Sequence, residues 1–237
     1  MPPLDAACLL VFAKRPEPGR VKTRLTALLS PGEAAALYEA FLLDALDAYA
    51  QMGRTDGVDV RVHVAPRPGD PDGFTDLVPR GVAAHRQRGD GLGQRMHHAF
   101  LDAFAAGYER VAVVGTDHPT LPVDFVRMAC ELLRTPRRVV LGPSEDGGYY
   151  LMGLNELYAE LFDMDYSHSG VFDDTLAAAA RTPAEPVVLP PWYDVDTPGD
   201  LARLAADLRE QPPDAKALTR RTNEALARLV RAYPALG

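Results

Sequence analysis

Four short stretches of this chain collect residues able to hold ions or phosphates. The first, Lys14-Arg15-Pro16-Glu17-Pro18-Gly19-Arg20-Val21-Lys22-Thr23-Arg24, sets five basic side chains against one acid, Glu17. It carries +4 in a chain of net charge −8, so the remainder carries −12. Only one other lysine, Lys216, occurs anywhere, and the other 22 basic residues of the chain are arginine. Proline and glycine keep the segment a loop. Its cations, forked in arginine and compact in lysine, can surround a polyphosphate. Lys22-Thr23 lacks the G-x-x-x-x-G-K spacing of a P-loop. The competing reading is a solvated basic turn, because loops collect charge.

The second stretch, Gln87-Arg88-Gly89-Asp90-Gly91-Leu92-Gly93-Gln94-Arg95-Met96, puts three glycines at the entry of a helix. Glycine lets backbone approach a flat ligand, and the first turn of a helix leaves amides free for an anion. The dinucleotide spacing G-x-G-x-x-G is missing, and helix entry alone explains one glycine.

The third is Gly115-Thr116-Asp117-His118-Pro119, after an entirely apolar run. A carboxylate at the tip of a buried strand can hold a divalent ion against phosphate oxygens. An Asx turn before Pro119 is the structural alternative, and His118 reads as loop surface. The fourth is acidic: Glu145-Asp146-Gly147-Gly148-Tyr149-Tyr150 and Trp192-Tyr193-Asp194-Val195-Asp196-Thr197-Pro198-Gly199-Asp200. Thr197, Pro198 and Asp200 fit a capped helix start, which makes Asp200 structural. Asp194 and Asp196 point to one side of an extended segment, and one of them can add a second carboxylate to Asp117. Asp146-Gly147-Gly148 forms a hairpin turn or contacts an acceptor.

Residues of these kinds need a frame, and apolar runs alternate with helical patterns along the whole chain. Strands are expected at Ala6–Ala13, Val58–Ala65, Val82–Gln87, Val111–Gly115, Arg138–Leu141, Gly148–Leu154 and Pro186–Leu189. Helices are expected from the capping box Ser30-Pro31-Gly32-Glu33 to about Met52, and at Leu92–Ala106, Pro122–Leu133, Glu156–Phe162, Val171–Ala180, Pro198–Glu210 and Thr222–Ala232. This order predicts one three-layer α/β domain over residues 1–237, with a doubly wound, mostly parallel sheet and a C-terminal helix from about residue 219. In such folds ligands bind beyond the carboxyl ends of the strands, where all four stretches fall.

Composition removes other classes. A hydrophobic fraction of 47% with 24% charged residues is that of a globular core, not of a disordered chain or coiled coil. Two cysteines, Cys8 and Cys130, sit in no metal-binding pattern and read as small buried hydrophobes. The acidic balance argues against nucleic acid or an anionic membrane as partner. Met1–Asp5 is too short for a signal n-region, and Ala6–Ala13 is of strand length, so a cytoplasmic location is expected.

The four stretches, in this order, resemble a bacterial family of GT-A-like transferases within the nucleotide-diphospho-sugar transferase superfamily. These proteins are often labelled glycosyltransferases and are similar to the phospholactate guanylyltransferases. The resemblance runs from about Ala7 to Leu208. It is carried by Phe12 to Leu25, Gln87 to Met96, Gly115-Thr116-Asp117, Gly142 to Leu151 and Trp192 to Pro198.

The resemblance implies Mg²⁺ or Mn²⁺ on Asp117; from the residues themselves the second ligand is Asp194 or Asp196, with Asp196 the expected one. It implies phosphate contacts from Lys14, Arg15, Arg20, Lys22 and Arg24, and base or ribose contacts from Gln87, Gly89, Gly91, Gly93 and Arg95. Asp146, Gly147 and Gly148 would contact the acceptor, with Arg67–Pro79 and Asp163–Gly170 shaping that side. Two departures stand out: Tyr166 replaces the family's usual tryptophan, and Thr116-Asp117-His118 replaces the aspartate-x-aspartate of many glycosyltransferases.

Lys22 and Asp117 are the expected catalytic pair. The leading expectation is metal-dependent transfer of a sugar from a nucleoside diphosphate sugar to a small acceptor. A nucleotidyl transfer from a nucleoside triphosphate to a phosphorylated small molecule, releasing pyrophosphate, stands almost level, because a dense cationic loop suits a triphosphate. A non-catalytic nucleotide-binding protein is the third reading.

Overall fold

The computed structural model describes residues 6–66, 78–166 and 168–236. Residues 67–77 of the expected acceptor loop, and Ser167, lie outside them. Seven strands form one sheet in the order β3-β2-β1-β4-β6-β5-β7. They are β1 (Ala7–Ala13), β2 (Val58–Val64), β3 (Ala83–Arg86), β4 (Arg110–Val114), β5 (Arg138–Pro143), β6 (Tyr149–Leu154) and β7 (Glu185–Val188). Strand β1 is parallel to β2 and β4, and β5 to β7, while β6 is antiparallel to both β4 and β5. That single reversal follows from the short Ser144–Gly148 connection, which can only join antiparallel neighbours.

The central strand shows why the run Ala6–Ala13 is apolar throughout. Ala7, Leu9, Val11 and Ala13 face one core layer, and Cys8 and Leu10 face the other. The first layer is closed by α1 (Pro31–Asp56) and α3 (Val123–Leu132), the second by α2 (Leu92–Ala105) and α4 (Val171–Ala179). A strand covered on both faces has no polar side to alternate with. Each fully buried leucine or phenylalanine, such as Leu9 or Phe100, stabilises the fold by about 2 kcal/mol. A third cluster joins α1 to α5 (Pro198–Glu210) and α7 (Arg220–Ala232) through Leu37, Phe41, Leu204 and Leu229. Cys8 and Cys130 are buried free thiols, as expected from their setting.

Helix α1 begins on the expected capping box: Ser30 Oγ accepts from Glu33 N, and Glu33 Oε2 accepts from Ser30 N at 2.8 Å. It runs a turn beyond Met52 because Gly53 does not break it. A Cβ at Gly53 would lie 2.7 Å from the Val58 carbonyl oxygen, so this glycine lets the helix pass close to β2. The helix stops instead at Gly57, whose φ of 70° is left-handed.

Two expectations need correction. Glu156–Phe162 is not an α-helix but contains only a 3-10 turn, Ala159–Leu161. Leu161 and Phe162 pack into the α2 side of the core, and the chain there follows that packing instead of a helical period. The other is a missed helix, α6 (Pro213–Leu218), which buries no side chain and so leaves no apolar period to read. No helix among the described residues is long and apolar enough to cross a membrane.

Candidate active site

The carboxyl edge of the sheet gathers the loops after β1 and β4, the β5–β6 turn and the segment after β7. Backbone bonds tie the last three together: Val195 N donates to the Asp117 carbonyl at 3.0 Å, and Glu145 N to the Trp192 carbonyl at 3.0 Å. Lys22 comes from the fourth. Its backbone is left-handed, with φ 48° and ψ 40°, just before the 3-10 turn Thr23–Ala27 whose Leu25 is fully buried. A non-glycine residue holds this conformation only when its surroundings impose it. The result turns the side chain inward, and only 2% of it is exposed.

Lys22 Nζ forms ion pairs with Asp117 Oδ1 and with Asp196 Oδ1, the latter at 3.0 Å. Arg24 Nη1 stands 3.5 Å from the other Asp196 oxygen. Burial alone would lower the Lys22 pKa, but Asp117 and then Asp196 hold it above its ordinary value. Burial would raise that of Asp117, and Lys22 outweighs it, leaving the carboxylate below its usual range. Behind them Tyr38, on α1, accepts a hydrogen bond from Lys14 N at 2.9 Å and shares one with Thr116 Oγ1 at 2.8 Å. One buried hydroxyl thereby joins the basic loop to the end of β4.

Two cavities meet at this triad. The first, about 230 Å³, is lined by Lys14, Arg20, Lys22, Thr23 and Arg24, and by Asp117 and Asp196. The second, about 250 Å³, is lined by Asp146, Asp194, His118, Ser144 and Tyr166, and again by Asp117 and Asp196. One side is cationic and the other acidic, and the two carboxylates form their common wall. Burial, followed by the nearby Asp146, pushes Asp194 up to about 6. His118 is not loop surface. Its Nε2 lies 2.9 Å from Ser144 Oγ, and burial pushes its pKa down to about 4, so the ring is neutral at pH 7.

Other expected residues fall unevenly around the cavities. Arg20 pairs with Glu17 at 3.5 Å, and Arg15 stands outside the lining of the cationic cavity. Asp146 Oδ1 accepts from Gly148 N at 2.9 Å, so the turn is both an Asx turn and part of the acidic wall. Gly147, at φ 90°, touches the chain before α4: an added Cβ would lie 1.8 Å from the Ser169 carbonyl oxygen. Of the Gln87–Met96 stretch only Leu92 borders either cavity. Gln87 is buried and donates to the His63 carbonyl at 2.8 Å, and Arg95 folds back onto the Gly89 carbonyl at 3.0 Å. Gly93 has a packing reason of its own, since a Cβ there would meet the Phe162 carbonyl oxygen at 2.6 Å. Asp200 caps α5 as expected, accepting from Thr197 N at 2.7 Å.

Tyr38 and Ser144 were missed in the sequence. Tyr38 occupies a core position of an amphipathic helix, and nothing in the local pattern separates it from a packing tyrosine. Ser144 lies inside the Gly142–Leu151 motif, but its pairing with His118 is visible only in the fold.

Among the described residues no three His, Cys, Asp or Glu side chains converge to hold a metal. Asp117 and Asp196 do converge on one cation, the Lys22 ammonium. Two carboxylates are what a Mg²⁺ or Mn²⁺ site asks of the protein when water and substrate phosphates complete the shell, so this donor set fits such an ion.

Residues 48–168 match the family DUF2064, described as an uncharacterized protein conserved in bacteria. The chain belongs to that family. A solved structure from Desulfovibrio desulfuricans G20, assigned as a nucleotide-diphospho-sugar transferase, shares 33% identity with this DUF2064 protein. The superposition covers 94% of this chain and 97% of that one, with a TM-score of 0.82. A 3-phospho-D-glycerate guanylyltransferase from Phenylobacterium zucineum (strain HLK1) is 35% identical over 140 residues, 56% of this chain and 60% of that protein. The fold extends further, to a cytidylyltransferase from Leptospira borgpetersenii with a TM-score of 0.55 at 12% identity. The α/β fold of this DUF2064 protein is therefore of the nucleotide-diphospho-sugar transferase type, and the named relatives are transferases.

Proposed function

We propose that this protein is a nucleotidyltransferase that moves a nucleoside monophosphate from a nucleoside triphosphate to a small acceptor and releases pyrophosphate. The observation that carries the reading is the pair of oppositely charged cavities sharing Asp117 and Asp196. The cationic cavity suits a chain of phosphates, with Lys14, Arg20 and Arg24 around it. An acceptor in the second cavity reaches the same wall from the opposite side. An acceptor oxygen attacks the α-phosphorus, the bond to the β-phosphate breaks, and pyrophosphate leaves into the cationic cavity. Such chemistry is mainly positional and electrostatic, and the chain's part is to align the two reactants and neutralise the leaving group.

Asp117 and Asp196 would hold a Mg²⁺ or Mn²⁺ ion, which when bound neutralises phosphate oxygens. The guanylyltransferase relative supports nucleotidyl over glycosyl transfer, and makes GTP and 3-phospho-D-glycerate the first substrates to try. Glycosyl transfer is the second reading, supported by the assignment of the Desulfovibrio relative.

Pyrophosphate release decides between them. Purified protein with Mn²⁺, each nucleoside triphosphate and a panel of phosphorylated acids should release pyrophosphate for at least one pair, and Asp117→Asn should abolish it. Release of a nucleoside diphosphate from a nucleotide sugar, with no pyrophosphate from any triphosphate, would replace this reading by the second.

A further inference from the structure

In this structure the cation between Asp117 and Asp196 is supplied by the protein itself. We propose that the Lys22 ammonium is the resident counter-ion of the divalent metal site, so that the metal is admitted only together with nucleotide phosphates that draw Lys22 away. The inference rests on the proposed function in so far as the phosphates are those of a nucleotide.

The argument is one of occupancy. Lys22 Nζ takes the Oδ1 oxygen of both Asp117 and Asp196, and 2% of its side chain is exposed. An ammonium and a divalent ion cannot share those oxygens, since like charges a few ångströms apart repel strongly in a partly buried site. Nor can Lys22 simply release them. A buried ammonium left without an anion is costly, and beside Nζ stand the rings of Tyr38 and Phe41, with centroids 6.0 and 5.9 Å away, which offer no anion. Lys22 also lines the cationic cavity, so a phosphate bound there offers the replacement anion.

Metal and nucleotide are then coupled, and linkage makes the coupling reciprocal: each raises the affinity for the other by the same factor. The left-handed backbone at Lys22 fits this role. It aims the side chain back at the carboxylates instead of out along the loop.

Mn²⁺ binding to the nucleotide-free protein tests the idea, read by the electron paramagnetic resonance of free Mn²⁺. Wild type should bind Mn²⁺ weakly. Lys22→Met, similar in length and uncharged, should bind it at least tenfold more tightly, and the double variant Lys22→Met/Asp117→Asn should lose that gain. Lys22→Gln serves equally if the methionine variant does not fold, and Lys22→Arg, which keeps the charge, should show no gain. Equal Mn²⁺ affinity in wild type and Lys22→Met, or a gain that survives Asp117→Asn, overturns the proposal.

The nucleotide arm is separate. Thermal shifts of wild type with nucleoside triphosphates, with and without Mn²⁺, test the functional reading. If no nucleotide stabilises the protein yet Lys22→Met gains Mn²⁺, the nucleotide reading fails while the counter-ion assignment stands.

Discussion

Two clusters in this molecule share a formula, one cation and two aspartates distant from it in sequence, and differ in what holds them. Lys22 pairs with Asp117 and Asp196, while Arg221 pairs with Asp44 and Asp47. In the second cluster one carboxylate is buried, with 3% of the Asp44 side chain exposed, while Asp47 and the arginine reach solvent. Asp44 also accepts from the backbone amides of Arg221 and Thr222, at 3.2 and 2.8 Å, at the start of α7. In the first the cation is buried, the carboxylates are partly exposed, and both carboxylates open into cavities. Backbone amides cannot leave, so the Asp44 cluster is fixed to the fold. The Lys22 cluster is built of side chains alone and can trade partners with a ligand.

The comparison breaks if the two clusters respond alike to substitution. Removing the buried cation should cost the most: in Lys22→Met, the proposed nucleotidyl transfer should fall by about 10³-fold, roughly 4 kcal/mol, as for loss of a preorganised charge at a reacting phosphate. Its melting temperature should change little, and a large thermal loss with turnover retained would reverse the assignment. Asp44→Ala should do the opposite. Stranding the buried α7 amides, while Arg221 keeps Asp47, should destabilise the protein by about 3 kcal/mol, a fall in melting temperature of roughly 6–12 °C, with turnover of the folded fraction unchanged.

Acid sets both clusters against a buried ionisable ring that has neighbours to stack on in place of a counter-ion. His63 lies between Phe12 and His85, with ring centroids 5.7 and 5.1 Å away, and burial holds its pKa down to about 4. The unfolded state therefore binds this proton first. The stability His63 contributes is full above about pH 6.5 and is lost as the pH falls towards 4. Denaturant titrations across that window should show a slope that His63→Leu flattens, by at most about 3 kcal/mol. An unchanged slope would place the acid sensitivity elsewhere.

The smallest effect should come from Arg24, exposed and 3.5 Å from Asp196. Arg24→Ala should leave stability within about 0.5 kcal/mol and weaken nucleotide binding by about three- to fivefold. A loss as deep as that of Lys22→Met would mean that burial is not what distinguishes the two cations.

The sheet and the edge that carries the candidate site were legible because both leave one-dimensional traces. A strand buried on both faces, such as Ala7–Ala13, must be continuously apolar, and a capping box must place Ser30 three residues before Glu33. Asp117 could be picked out because a carboxylate following five apolar residues has no packing use. Asp194 and Asp196 could not be told apart, since their spacing puts both on one side of the segment. The structure separates them, Asp196 to Lys22 and Asp194 to the acidic cavity beside Asp146. The glycines of Gln87–Met96 had an ambiguous trace, because close approach to a ligand and close approach to Phe162 ask for the same residue.

The sequence by itself determined that a cationic loop follows the first strand of a mostly parallel α/β domain and that aspartates follow later strands. Local composition, periodicity and capping chemistry suffice for that. Which charges meet was decided only by the tertiary structure. Lys22 and Asp196 lie 174 residues apart, and a single left-handed residue turns the ammonium inward to the carboxylates. Charge density can be read along a chain, but a charge's partner depends on which strand ends share an edge and on how much water the packing leaves between them.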